Sequence, residues 1–336
     1  MKSGNRWTST LLVLGLSVTA AGAPAQTPSP ALLVLEKDDR SLAIVDPGNL
    51  KIVGRVDAGD DPHEVVATDD GKFAYISNYG AFGPNPGHTL SVVDLINQNR
   101  LPSVELGALL APHGLDLVDS KIYFTAEGSK AIGRYDPVTQ KIDWILGVGR
   151  NRTHMLAVAR DLNRIFTSNV NADDVGILDR NKNGDVSGWV ETHIPVGKGP
   201  EGFDVSPDGK ELWAANSGDG TVSVVDIANR KVAQTIAVQT KRSNRLKFTP
   251  DGKMVLISDL ATGDLVVLDA AARKEIKRLS LGRGAAGILI GPDGSRAYVA
   301  VSRDNYVAVI DLKTLSVTGH LATGKGPDGL AWAVRK

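Results

Sequence analysis

Seven times along the 336-residue chain an apolar, β-prone run ends in an aspartate: Asp46, Asp94, Asp136, Asp179, Asp226, Asp269 and Asp311. The intervals between them run from 42 to 48 residues. A repeat of that length and strand-like content cannot bury its own apolar faces and must stack on its neighbours, as a propeller blade does. The same regularity makes these aspartates part of the repeat, accepting backbone N–H groups from the turn that follows, and not catalytic acids.

Before each aspartate comes a strand, a turn and another strand, clearest in FDVSPDGKELWAAN and LKFTPDGKMVLISD. The Asp-Gly pairs at 70–71, 208–209, 251–252 and 293–294 supply the positive backbone φ of a tight hairpin, and Pro207, Pro250 and Pro292 pre-set the turn. After each aspartate, segments such as KVAQTIAVQT alternate apolar and polar residues, the pattern of a half-exposed outer strand. Residues 31–57 hold three strands without an inner one, and PDGLAWAV near the C-terminus is an inner strand with nothing after it. The predicted fold is therefore all-β: a seven-bladed β-propeller of four-stranded antiparallel blades over 31–336. The C-terminal strand pairs with the N-terminal three and closes the ring.

Lys2 and Arg6 precede the apolar run LLVLGLSVTAAGA and then Ala23-Pro24-Ala25, so residues 1–25 read as a cleavable secretory signal peptide and 26–30 as a short flexible leader. The expected location is periplasmic or secreted. No later run is long enough for a membrane span. The chain has no cysteine, which excludes disulfides and c-type haem attachment. Lysine plus arginine and aspartate plus glutamate both number 38, which argues against nucleic acid or an acidic membrane as partner. Small-molecule substrates and protein partners both stay open, and a closed ring is expected to be monomeric.

The repeats at 203–227 (FDVSPDGKELWAANSGDGTVSVVDI) and 288–312 (ILIGPDGSRAYVAVSRDNYVAVIDL) resemble the YVTN family of propellers, the surface-layer-type and lactonase-like repeats. The resemblance covers essentially the whole chain after residue 30. It implies the propeller fold, while its members include enzymes, electron-transfer partners and scaffolds, so function has to come from the site.

Departures from the repeat concentrate at the start of each inner strand: Pro62-His63-Glu64, Pro112-His113-Gly114, Thr153-His154-Met155, Pro200-Glu201-Gly202, Ser243-Asn244-Arg245, Ala285-Ala286-Gly287 and Pro327-Asp328-Gly329. Half of the chain's six histidines fall at one register in three consecutive repeats. Imidazoles and carboxylates meeting at a channel mouth are donors for a divalent transition metal such as zinc. The metal ligands would be His63, His113, His154 and Glu201. Glu64 or Glu201 would act as base, and Arg245, with Arg152, would hold an anionic group. The chemistry expected is metal-dependent hydrolysis or lysis of a lactone or ester, in line with the lactonase-like resemblance. In the competing reading these histidines only bond a neighbouring blade's backbone, and the protein is a binding or electron-transfer scaffold.

A second ring, aligned as Glu36, Asn78, Glu127, Asn169, Asn216, Asp259 and Ser302, reads as turn-capping asparagines, with Glu127 and Asp259 as further candidates for the metal shell or base. The insertion 79–89 (YGAFGPNPGHT) reads as a lid or as an ordered surface loop. Asp179, Asn181, Asn183 and Asp185 open a calcium-loop pattern that lacks its twelfth-position glutamate, so a weak structural calcium site or a polar turn is expected there. No GxSxG elbow, phosphate loop or dinucleotide fingerprint occurs.

Overall fold

The computed structural model describes residue 1 and residues 26–80, 85–181 and 188–336. Residues 2–25, the bulk of the predicted signal peptide, lie outside the described residues. Among the described residues, 28 strands form seven four-stranded antiparallel sheets around one axis. Blade one joins Pro327–Ala333 to Ala31–Glu36, Ser41–Asp46 and Lys51–Asp57, with Leu33 opposite both Ala331 and Ile44. The ring closes as the unpaired ends of the sequence require. Blades two to seven follow in chain order, with inner strands Pro62–Ala67, Pro112–Val118, Thr153–Val158, Pro200–Val205, Ser243–Phe248 and Ala285–Ile290.

Each sheet lies face to face between two others, so the middle strands are buried on both sides and read as continuous apolar runs. Leu32–Leu35 and Leu42–Val45 are fully buried. Leu33, Leu42 and Ile44 of blade one pack on Val65, Ile76 and Val93 of blade two. Each such side chain contributes about 1.5–3 kcal/mol on burial, and these interfaces hold a ring that has no disulfide. Outer strands bury far less, and in Lys231–Ala237 only Ile236 is fully inside.

The turn chemistry matches its sequence reading. Gly71, Gly209, Gly252 and Gly294 have φ between +66° and +70°. Six of the repeat aspartates accept backbone N–H groups from the next turn, as Asp94 does from Ile96 at 2.8 Å and Asp311 from Thr314 at 2.7 Å. Asp179, whose following turn lies largely outside the described residues, is 2.7 Å from Arg164 Nε and 2.6 Å from Arg230. Asn183 and Asp185 of the predicted calcium loop lie outside the described residues.

One irregularity shapes the channel. The register of each inner strand in blades two to seven breaks after its first residue. The freed N–H of the third residue goes to a hydroxyl on the next strand: Glu64 to Ser77 (3.1 Å), Gly114 to Thr125 (2.8 Å) and Arg245 to Ser258 (3.0 Å). Residues 26–30 were expected to be a loose leader. Thr27 is instead buried, donating to Leu95 O and accepting from Arg335 at 2.6 Å.

Candidate functional site

The broken register stacks two layers of side chains across the channel. The second residues of the inner strands, His63, His113, His154, Glu201, Asn244, Ala286 and Asp328, form one layer. The third residues form the next: Glu64, Gly114, Met155, Gly202, Arg245, Gly287 and Gly329. Four of these seven are glycine, at positions where neighbouring inner strands touch. A Cβ on Gly202 would lie 2.5 Å from Asn244 O, and one on Gly287 only 2.1 Å from Asp328 O.

The three histidines come together as a stack. His63 and His113 have ring centroids 5.1 Å apart, and His113 and His154 are 3.8 Å apart with a 33° tilt. Tyr79 covers them, its ring edge-on at 4.7 Å to His63 and 4.8 Å to His113. Its hydroxyl donates to Glu127, which also accepts from His154 Nδ1 and lies 3.6 Å from Arg152. On its other side, His154 Nε2 is 3.8 Å from Glu201, which accepts from Asn244 at 3.0 Å. His63 Nδ1 faces Asp61 O at 2.9 Å. Within this layer two buried ring nitrogens, His113 Nδ1 and His154 Nε2, have no hydrogen-bond partner among the described residues.

This layer was expected to be an open mouth with a coordination position for water. It is instead a packed plug: His113 and His154 are each 2% exposed, because ring stacking and the inward-turned Tyr79 fill the space. Burial, with His154 and His63 beside it, pushes His113 well below the usual imidazole range, and burial also lowers His63. The rings pack on one another at tilts of 56° and 33°. Among the described residues, no three histidine, aspartate or glutamate side chains are arranged to hold a metal ion.

Beyond the plug the channel widens into a cavity of about 1020 Å³, floored by Glu64, Met155, Arg245, Gly287 and Gly329. It opens on the face that carries the hairpin turns, where Arg160, Asp161 and Gly209 are exposed. At the floor Arg245 donates across the axis to Glu64. Burial opposes the guanidinium charge, and Glu64, Asp328 and Glu201 more than offset that cost. Asp328 lies 3.2 Å from Lys37 and is held below the usual carboxylate range against its burial.

The structure corrects the second ring. Backbone pairing sets Pro62 opposite Asn78 and Pro112 opposite Ala126, so Glu127 is level with Tyr79 and not with the asparagines. That one-residue slip turns Glu127 toward the histidines. Asp259 stays away from the site. Burial would raise its carboxyl, but bonds from the N–H groups of Lys241, Arg242, Ala261 and Thr262 hold it low. Asn78 and Asn216 reach hydroxyls on the neighbouring strand, and the backbone carbonyl of Asn216 accepts from Gly220 in its own turn. Tyr79 opens the insertion that the sequence presents as a lid or an ordered surface loop. Its signal was an aromatic directly after the second strand, where other repeats carry Val170, Ser217 or Leu260. His88 is half-exposed and 3.6 Å from Glu105, and residues 81–84 of the same insertion lie outside the described residues.

No protein-family model matches the chain, and no curated protein matches it in sequence. Solved structures do. A functionally unknown protein from Desulfotomaculum acetoxidans is similar at 14% identity and a TM-score of 0.76, over 92% of this chain and 100% of its own. A Bacteroides uniformis protein provisionally named a 6-phosphogluconolactonase is similar at 15% identity and TM-score 0.73, covering 90% of this chain and 99% of its own. A dihydro-heme d1 dehydrogenase is similar at 16% identity and TM-score 0.63, over 89% of this chain and 74% of its own. Likeness at this identity speaks to architecture alone, and the architecture shared is that of this chain, a seven-bladed β-propeller.

Proposed function

We propose that the protein is an exported enzyme that cleaves a small ester or lactone at the floor of the central cavity. The observation that carries this reading is the Glu64–Arg245 pair, a half-buried carboxylate and a buried guanidinium that face a cavity large enough for a substrate. Export follows from the reading of residues 1–25, and the lactone class from the resemblance of the repeats to YVTN propellers.

Arg245 occupies one oxygen of Glu64 and leaves the other as a base. That oxygen takes a proton from water, and the resulting hydroxide adds to the substrate carbonyl carbon. The tetrahedral oxyanion is held by N–H groups of Arg245 that Glu64 does not use. Collapse breaks the carbon–alkoxide bond, and the alkoxide takes the proton back from Glu64, so the base returns to its starting state. The plug behind the floor fixes the pair and keeps water out of the far end of the channel.

The test is hydrolysis of a panel of lactones and esters by wild type and by Glu64→Gln. The variant should lower kcat/KM by about 10²–10⁴-fold, the usual contribution of a general base. Equal rates in the two proteins would remove Glu64 from the chemistry. No turnover on any substrate would favour the binding-scaffold reading.

A second reading rests on the unpartnered nitrogens of His113 and His154. A divalent transition metal such as zinc would take these two and Glu201, with His63 alongside, and would supply Lewis-acid polarisation and an ionised water. As folded, the donors do not surround one point, so no step is routed through it. Mass-spectrometric metal analysis of wild type and of a His63→Ala/His113→Ala/His154→Ala variant tests this reading. It requires about one equivalent per chain, lost in the variant.

A further inference from the structure

Three features of the cavity narrow its ligand. Its wall is apolar in part, with Val65, Leu115, Met155, Phe203, Ile288 and Leu330 among the lining residues. Its lining carries five basic side chains and five acidic ones, so it has no surplus of positive charge. Most of the cations are already matched: Arg164 lies 2.7 Å from Asp179, Arg160 3.8 Å from Asp116, Lys247 3.9 Å from Asp204, and Arg245 is bonded to Glu64. A phosphorylated ligand of two or more negative charges would have to compete with these carboxylates for the cations.

The floor asks for something smaller and two-sided. Arg245 gives one N–H group to Glu64 and another to Asn244 O at 3.4 Å, and its remaining donors suit a single carboxylate. The oxygen of Glu64 that Arg245 does not hold can accept from a ligand hydroxyl. A carboxylate and a hydroxyl on one molecule are what opening a lactone produces. We infer that the central cavity, entered from the hairpin-turn face, binds an unphosphorylated hydroxy acid with an apolar body, carboxylate on Arg245 and hydroxyl on Glu64, and its lactone in the same place. The inference deepens the hydrolase reading by naming its substrate class, yet binding can be measured without turnover.

Isothermal titration calorimetry with 4-hydroxydecanoate, gluconate and 6-phosphogluconate tests it. The expected result is one site for 4-hydroxydecanoate, with affinity at least about tenfold above either sugar acid, since several buried methylenes separate them. Arg245→Gln should weaken that binding by about tenfold or more through loss of a charged hydrogen bond. Because that variant leaves the half-buried Glu64 without its ion-pair partner, the Glu64→Gln/Arg245→Gln double variant, which has no unpaired charge, is measured beside it and should be equally impaired. Undetectable binding of 4-hydroxydecanoate, tighter binding of 6-phosphogluconate, or unchanged affinity in a folded double variant would each overturn the inference. Hydroxy-acid binding without lactone turnover would leave it standing and remove the hydrolase reading. Turnover without the preference for an apolar acid would do the reverse.

Discussion

Glu127 is the residue on which the plug turns. It takes hydrogen bonds from Tyr79 and from His154, and Arg152 lies beside it. Glu127→Gln keeps the shape and removes the charge, and it is expected to cost about 1–3 kcal/mol, read as a lower urea midpoint. Asp259 gives a pH-dependent counterpart. Its folded carboxyl is held below its ordinary value, so its stabilising contribution is complete above the unfolded carboxylate pKa, about 4. That contribution is lost as pH falls through the folded value. Asp259→Asn should therefore destabilise at pH 7 by about 1–3 kcal/mol, and the gap to wild type should narrow on acidification toward pH 3. A gap that stays constant with pH would contradict the assignment. Single residues were only partly legible in the sequence. The convergence of His63, His113 and His154 could be read from their shared register. Ring stacking and the orientation of Glu127 could not, because both depend on a register break that no local motif announces.

At the scale of the strand, the inner strands carry two demands, side chains for the channel and room for the next blade. Glycine at the third position meets the second. Gly287→Ala would drive a Cβ into Asp328 O and should cost about 1–3 kcal/mol as an overpacking strain. Gly147→Ala is the control: a Cβ there has nothing within 4 Å, and the change should fall within about 0.5 kcal/mol of wild type. Equal urea midpoints for the two variants would contradict the close approach. Strand number, turn positions and ring closure were all readable from the 42–48-residue period, the Asp-Gly pairs and the unpaired ends. They follow from local backbone chemistry and from the need to bury apolar faces. Which end of the channel is closed was not readable, because it follows from how Tyr79 and three imidazoles pack.

Across the whole molecule, ring closure rests on strand pairing between distant parts of the chain. Pro327–Ala333 covers the edge of Ala31–Glu36, and without it Leu33 and Leu35 would line an open strand edge. A chain ending at Gly326 is expected to lose cooperative unfolding and to associate, as seen by calorimetry and light scattering. A monomeric, cooperatively melting truncation would show that closure contributes little. The same architecture leaves one channel with two unlike ends, a plugged one at the histidines and a wide one reaching Glu64 and Arg245. The central claim is that ligands use the wide end. The most direct measurement is a crystal structure of the protein soaked with 4-hydroxydecanoate. The account predicts ligand density on the cavity floor, with the carboxylate against Arg245. Density over Tyr79 and His63 on the opposite face, with the cavity floor empty, would contradict it.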